Sequence, residues 1–212
     1  MFSMHKILLV DDHPIVRSSV RLLIKEHLNH AEVSEAKNGD TAFQKIIQDH
    51  YDLVVLDINM PNTDSLGFLI RAKDMRPDIS VLIFSMVSEY SVARRYLNAG
   101  ARGFLNKQAE DEEIVHAIVS ELQGKKYISK ELLEAIADDK LFNRPDKPFE
   151  ALSNREFEIA YHLVKGESVT EIAGSLNIHT STVGTYKARI FEKLKVNNLI
   201  DLNNLAREYH LI

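Results

Sequence analysis

Five strand-like runs, each separated from the next by a stretch with helical periodicity, most narrow what the first half of this chain can fold into. KILLV (6–10), EVSEA (32–36), LVVL (53–56), SVLIF (80–84) and GFL (103–105) are those runs. Between the first two, Ile15, Val16, Val20, Leu22, Leu23 and Leu28 recur at helical spacing after Pro14, which a first helical turn tolerates. Runs that are apolar on successive residues suit strands buried on both faces. Parallel neighbours cannot be joined by hairpins, so the alternation predicts an α/β fold, a doubly wound five-stranded parallel sheet with crossover helices on both faces. Strands one and three should be adjacent at the switch point, where ligands bind at the carboxyl ends.

The later helices of this half are expected through Ala42, Phe43, Ile46 and Ile47, through Leu66, Leu69 and Ile70, over 89–98, and over 111–123 with Ile114, Val115, Ile118 and Leu122 inward. The pattern then changes. Residues 124–150 start with Lys125, Lys126 and Tyr127, are expected to form a helix over 130–137, and loosen into a linker marked by Asp138, Asp139, Pro145 and Pro148. Tyr127 and Phe142 read as packing residues. From 151 onward every apolar pattern is helical, opening with the capping-box sequence Ser153-Asn154-Arg155-Glu156. The organisation expected is 5–123, a linker at 124–150, and a smaller all-α domain at 151–212.

A net charge of -5 argues against indiscriminate coating of nucleic acid, which needs a strong positive field. Residues 151–212 hold seven Lys and Arg against seven Asp and Glu, so the negative excess lies in the first 150 residues. There is no cysteine, which excludes disulfides and thiolate metal sites. The chain opens with MFSMHK directly before its first strand, and no apolar run approaches the ~20 residues of a membrane span. A cytoplasmic protein with no membrane partner is the expectation.

The strands end on chemistry. Asp11 and Asp12 follow KILLV, and Asp57 follows LVVL within YDLVVLDINMP, where Pro61 forces a turn. With strands one and three adjacent, three carboxylates converge in one crevice and repel each other unless a hard cation fills it. Magnesium suits such a site, taking one or two carboxylates, a carbonyl and waters at about 2.0 to 2.1 Å. Ser85 ends SVLIF, and Lys107 follows GFLN. A carboxylate nucleophile, a magnesium site, a hydroxyl and an ammonium describe phosphoryl transfer, where catalysis is mainly positioning and charge neutralisation. At its reference pKa of about 3.9, Asp57 is ionised at neutral pH and needs no general base. His13 has no second histidine at ligand spacing, and a metal role for it is disfavoured.

VDDHP (10–14), LDINMP (56–61), Ser85 and GFLNK (103–107), in this order on these strand ends, resemble the flavodoxin-like receiver domain of two-component response regulators. The resemblance implies that Asp57 accepts a phosphoryl group from a sensor histidine kinase. It implies further that Asp11, Asp12 and Asp57, with the carbonyl of Asn59, hold magnesium. Lys107 would pair with the phosphoryl group, Ser85 would bond one of its oxygens, and Phe104 would be the switch aromatic. Gln108, Ser85 and Phe104 are ordinary variations on the family pattern. Ser65 stands where glycine often follows Asp64, without a sequence-level explanation.

Residues 170–195 have the grammar of a helix-turn-helix, with a short helix carrying Ala173, a tight turn at Asn177, and a longer helix anchored by Val183 and Tyr186. Asparagine is the next residue after glycine to tolerate a left-handed backbone. The longer helix carries Lys187, Arg189, Lys193 and Lys195 against Glu192, a local excess of positive charge. The block from Leu152 to the end resembles the LuxR-type DNA-binding domain, which with a receiver defines the NarL/FixJ family. TVGTYKARIFEKL (182–194) looks like its GacA/UvrY-like members. By that resemblance Thr182, Gly184, Thr185, Lys187, Ala188 and Arg189 face double-stranded DNA. Lys187, Arg189 and Lys193 are expected on phosphates and Thr185 on a base, although many relatives place basic or polar side chains where Gly184 and Ala188 stand.

The function expected is a DNA-binding transcription factor activated by phosphorylation of Asp57, not a turnover enzyme, and a homodimer when active. Two reading helices would then span half-sites about 34–36 Å apart. Leu199, Leu202 and Leu205 on the last helix are a candidate dimer contact. One rival, a magnesium-dependent aspartyl phosphatase, wants an acid two residues after the nucleophile, where Asn59 stands. Others are a LuxR-type regulator gated by a small molecule, and one acting without phosphorylation.

Overall fold

The computed structural model describes residues 4–60, 63–86, 90–130, 132–134, 148–176, 178–209 and 211. The chain divides into two compact units, Met1–Ser88 with Ala93–Lys130, and Glu131–Ile212 with Glu89–Val92. Up to residue 122, β1 (His5–Val10), α1 (Pro14–His27), β2 (Ala31–Ala36), α2 (Gly39–Gln48), β3 (Leu53–Leu56), α3 (Ser65–Met75), β4 (Ser80–Ser85), α4 (Tyr90–Asn98), β5 (Gly103–Asn106) and α5 (Asp111–Leu122) alternate without exception. All strand pairs are parallel, in the order β2-β1-β3-β4-β5.

Successive strand side chains point to opposite faces, and in the central strands both faces are dry. Ile7, Leu9, Leu53, Val55, Leu82, Phe84 and Leu105 form one core with Val20 and Ile24 of α1 and Ile114, Ala117 and Ile118 of α5. The alternate residues Leu8, Val10, Val54, Leu56 and Ile83 are equally buried on the other face. There α2 packs on β1 and β2 and against α3. β2 and β5 are the edge strands, and Glu32, Ser34 and Glu35 keep β2 polar.

A buried acid fastens the far side of β5. Glu121 of α5 accepts hydrogen bonds from the Ser80 hydroxyl and, at 3.1 Å, from the Tyr127 amide, and lies 3.7 Å from Arg102 Nε. Burial pushes its pKa up, and the hydrogen bonds from Ser80 and Tyr127 partly offset that. Tyr127 O in turn accepts from the Phe104 amide at 3.0 Å, adding a parallel bridge between Phe104 and Ile128.

From residue 148 onward, the described residues of the second unit hold a 3₁₀ turn at Pro148–Ala151 and four helices, α6 (Asn154–Val164), α7 (Val169–Ser175), α8 (Thr180–Leu194) and α9 (Leu199–Glu208). Local signals set the helix starts. Ser153 with Glu156, and Ser168 with Glu171, form capping boxes, and the Asn198 side chain accepts from the Asp201 amide. Ile159, Ala160, Ile172, Val183, Ile190, Leu202 and Ala206 make the core, with α8 packed on α6 and α7.

One expectation is corrected here. Leu202 is fully buried with Ala206 one turn on, so it holds α9 to the domain and cannot face a second chain; Leu199 and Ile200 are the exposed apolar residues of that helix. The turns expected at Pro61 and Asn177, Phe142, and most of the linker lie outside the described residues; of 130–137, residues 130 and 132–134 are helical.

Gly103 allows the close packing around Glu121, because a Cβ there would lie 2.6 Å from Glu121 Oε1, 2.7 Å from Tyr127 O and 2.8 Å from Leu82 Cδ1. Gly103→Ala is expected to destabilise the protein by about 1–3 kcal/mol through overpacking, measured as a lowered urea midpoint of the first unit.

Candidate functional site

The site is built from the carboxyl ends of four strands. Val10 pairs with Leu56, so Asp11 and Asp57 emerge side by side, and the Asp57 amide donates to Val10 O at 2.8 Å. Ser85 closes β4 and pairs with Asn106, and the Lys107 amide donates to Ser85 O at 2.9 Å. That bond aims the lysine across the sheet edge. Lys107 Nζ lies 2.6 Å from Asp11 Oδ2 and 2.9 Å from Asp57 Oδ2. Asp11 and Asp57 are 4% and 1% exposed, so one buried ammonium is shared by two buried carboxylates.

The remaining contacts hold these groups in place. Asp57 Oδ1 accepts the Asn59 amide at 3.1 Å, and Asn59 Nδ2 donates to Ser85 Oγ at 3.4 Å. Asp11 Oδ1 accepts the His13 amide at 2.8 Å. His13 caps α1 without a side-chain hydrogen bond, so the two acids are not spent on capping that helix. Burial is the largest influence on Asp57 and raises its pKa; Lys107 and the Asn59 amide pull it down, Asp11 pushes it up, and the net direction is upward.

One-atom ligands from Asp11, Asp12, His13 and Asp57 all lie within 4.8 Å of one another. Asp11 Oδ2, Asp12 Oδ1 and Asp57 Oδ2 are shielded from water; Lys107 faces the first and the third, and the His13 ring faces the second. Buried oxygens in that condition, dominated by carboxylates, fit a hard divalent cation. The His13 ring, with its side chain 65% exposed and 2.9 Å from Asp12 Oδ1, stands at the rim.

Ser85 is fully buried at the pocket, and Phe104 is buried within β5 opposite Ile83. Two contacts were not evident in the sequence. The Ser65 hydroxyl donates to Asp57 O at 3.3 Å, tying the start of α3 to the acid's own backbone, which gives this serine a local role. Arg17 Nη1 donates to Asp11 O at 2.6 Å. The partners lie eight and six residues apart and outside any one regular element, so no helical or strand spacing rule reveals them.

In the second unit the residues expected to read DNA sit on α8. Its buried side is Val183, Ile190 and Leu194, and its exposed residues are Thr180, Ser181, Gly184, Thr185, Ala188, Arg189, Glu192 and Lys193. Thr182 and Lys187 are half-buried between them, the latter with Nζ 5.5 Å from the centre of the Phe191 ring. A Cβ at Gly184 would meet nothing within 4 Å, so internal packing does not demand glycine there. Lys193 differs from its neighbours, since its Nζ lies 2.7 Å from Glu156 Oε2, the buried carboxylate of the α6 capping box. Burial alone would raise the pKa of Glu156, but Lys193 and the Ser153 amide hold it below the usual range.

Comparison with known proteins matches the two units separately and the chain as a whole. Residues 7–119 match the response regulator receiver domain, and residues 150–206 match the luxR family of bacterial regulatory proteins. The chain is 31% identical to the response regulator UvrY of Escherichia coli, over 98% of this chain and 96% of that one. It is 36% identical to a putative transcriptional regulator of Pseudomonas aeruginosa, over 99% and 100%. It shares its fold with RcsB of Salmonella enterica serovar Typhimurium, solved on the rprA promoter with phosphomimetic BeF3- (TM-score 0.66, 23% identity, 94% and 97% covered).

Because the folded pKa of Asp57 lies above its unfolded one, its stabilising contribution is full below the unfolded value and is lost as pH rises through the folded one. In the presence of chelator, Asp57→Asn should therefore be more stable than wild type at neutral pH, by about 1 kcal/mol or more. The two are expected to converge as pH falls through and below the ordinary carboxylate range, in denaturant midpoints measured across that interval.

Proposed function

Because the chain belongs to the response regulators that join a receiver domain to a LuxR-family DNA-binding domain, we propose that it is a transcription regulator switched by phosphorylation of Asp57. The observation that carries this reading is the single lysine bridging Asp11 and Asp57 at the edge of the sheet. The phosphoryl donor is a sensor histidine kinase and the output partner is double-stranded DNA. We take residues 5–123 as the receiver, 124–150 as the linker and 151–212 as the reader. No described helix is long and apolar enough to cross a membrane, and the protein is read as cytoplasmic.

Asp57 is the nucleophile. One of its carboxylate oxygens forms the new bond to phosphorus while the P–N bond of the donor phosphohistidine, protonated on its other ring nitrogen, breaks, leaving neutral imidazole and an acyl phosphate. Its upward-shifted pKa favours the protonated form, and Lys107 supports the ionised one that attacks. Magnesium held by Asp11, Asp12, Asp57 and the Asn59 carbonyl would neutralise charge on the transferring group. Lys107, already within 2.9 Å of Asp57, is placed to keep pairing with the phosphorylated side chain. Ser85 is placed to donate to a phosphoryl oxygen, and Phe104 answers its movement. A phosphoaspartate carries a charge of roughly -2 in place of the carboxylate's -1, which favours a different arrangement of this edge and, with it, the dimer that reads two half-sites. Asn59 offers an amide where a phosphatase would need an acid, so turnover of phosphate esters is not assigned.

On α8, Arg189, Lys187 and Lys193 are assigned to phosphates, and Thr182, Gly184 and Thr185 to the face nearest the bases. Thr185 Oγ1 already donates to Ser181 O at 3.0 Å, which leaves its lone pairs directed outward as acceptors. Lys193 meets Glu156 as well, so its substitution mixes two effects.

Incubated with magnesium and acetyl phosphate, the protein should gain one phosphoryl group by intact mass and Asp57→Asn none; equal labelling of the two overturns the assignment. On a duplex selected by the phosphorylated protein, Arg189→Ala should lower the slope of log affinity against log salt by about 1 without changing the melting temperature. Lys193→Ala should instead lower the melting temperature, since it leaves the buried Glu156 short of a partner, a cost of about 1–3 kcal/mol.

A further inference from the structure

Behind the carboxylate cluster, one nearly buried cation reaches the site from the scaffold. Arg17 lies in the first turn of α1, its side chain 14% exposed. Its Nη1 donates to the main-chain carbonyl of Asp11 at 2.6 Å, and its Nε donates to Glu35 Oε2 at 3.0 Å. Glu35 is the penultimate residue of β2 and pairs opposite Leu9 of β1. One planar guanidinium therefore ties together α1, the end of β1 and the edge strand β2. Arg21, one turn on, lies 3.3 Å from the other oxygen of Glu35.

The position of the grip matters. β1 ends at Val10; the next amide, that of Asp11, still donates to Ala36 O at 3.1 Å, and the Asp11 carbonyl turns to Arg17. A peptide unit is planar, so fixing the Asp11 carbonyl fixes the direction in which the chain leaves toward Asp12. The side-chain partner the structure gives Asp12 is the exposed ring of its neighbour His13, 2.9 Å from Oδ1, so the backbone rather than the packed scaffold is what aims that carboxylate into the cluster.

We propose that Arg17, oriented by Glu35, is a positioning residue for the divalent-cation site of Asp11, Asp12 and Asp57. The inference rests on the reading of that pocket given above. Glu35 offsets the charge of the guanidinium, which acts through geometry: two donors at a fixed angle hold the Asp11–Asp12 peptide so that both carboxylates meet the ion together. Lysine, a point charge on a flexible stem, cannot make both bonds at that angle.

The test titrates the full-length protein with Mn2+, following free ion by electron paramagnetic resonance, with Mg2+ affinity from competition. Arg17→Ala is expected to weaken binding about tenfold or more, the usual effect of losing a group that orients a ligand. Arg17→Lys should lose nearly as much despite keeping its charge, and it serves in place of Arg17→Ala if that variant does not fold. Arg21→Ala, which removes the other cation on Glu35, should bind as wild type. Melting temperatures in chelator establish that each variant is folded. Wild-type affinity in Arg17→Ala, or in Arg17→Lys, overturns the inference while leaving the phosphoacceptor reading intact. No Mn2+ or Mg2+ binding by the wild type overturns both.

Discussion

Two carboxylates sharing one ammonium out of contact with water is the interaction on which the receiver unit depends. Asp11 and Asp57 sit with Asp12 in a cluster whose ligand atoms lie within 4.8 Å of one another, where two like charges oppose each other by on the order of 3 kcal/mol at an effective dielectric of 20. Lys107 offsets part of this and leaves the cluster negative. A pocket in that condition favours whatever brings positive charge, and its energy changes when one of the acids is modified. The same imbalance that costs stability in the metal-free protein is what makes the edge of the sheet responsive.

Each member of the cluster arrives from a different part of the chain, so the sheet register is the mechanism's frame. Val10 opposite Leu56 sets Asp11 beside Asp57, and Ser85 opposite Asn106 sets Lys107 against both. Slipping any strand by one residue would turn its inner residues outward and withdraw its polar end group from the pocket. The dry core on both faces of β3 and β4 prevents that slip. Ser65 and Arg17 then hold the main chain of the two acids themselves, one from α3 and one from α1.

In the second unit a single carboxylate couples helix start to helix packing. Glu156 closes the capping box of α6 through the Ser153 amide and pairs with Lys193 of α8. One side of α8 is thus committed to the domain, through Val183, Ile190, Leu194 and the Lys193 ammonium, which leaves Thr180, Ser181, Gly184, Thr185, Ala188, Arg189 and Glu192 turned outward. Small residues dominate that outward side and present little side chain between the helix backbone and whatever lies against it.

Periodicity and the order of polar residues at strand ends were enough to determine the parallel sheet, its four crossovers, the convergence of Asp11, Asp12, Asp57, Ser85 and Lys107, and the capping of α6. These are local patterns, or local patterns made adjacent by the handedness and connectivity of βαβ units. What the chain did not reveal by itself were contacts between distant residues with no repeating spacing: Arg17 with Glu35, Ser65 with the Asp57 carbonyl, Glu121 beneath Gly103, and Lys193 with Glu156. The inward phase of Leu202, against the expectation of an outward one, belongs with them, because every leucine in an amphipathic helix looks alike until a neighbour claims one side. Tertiary packing decided these, since whether a polar or apolar group is spent internally or left for a partner depends on which surface the rest of the fold brings to it.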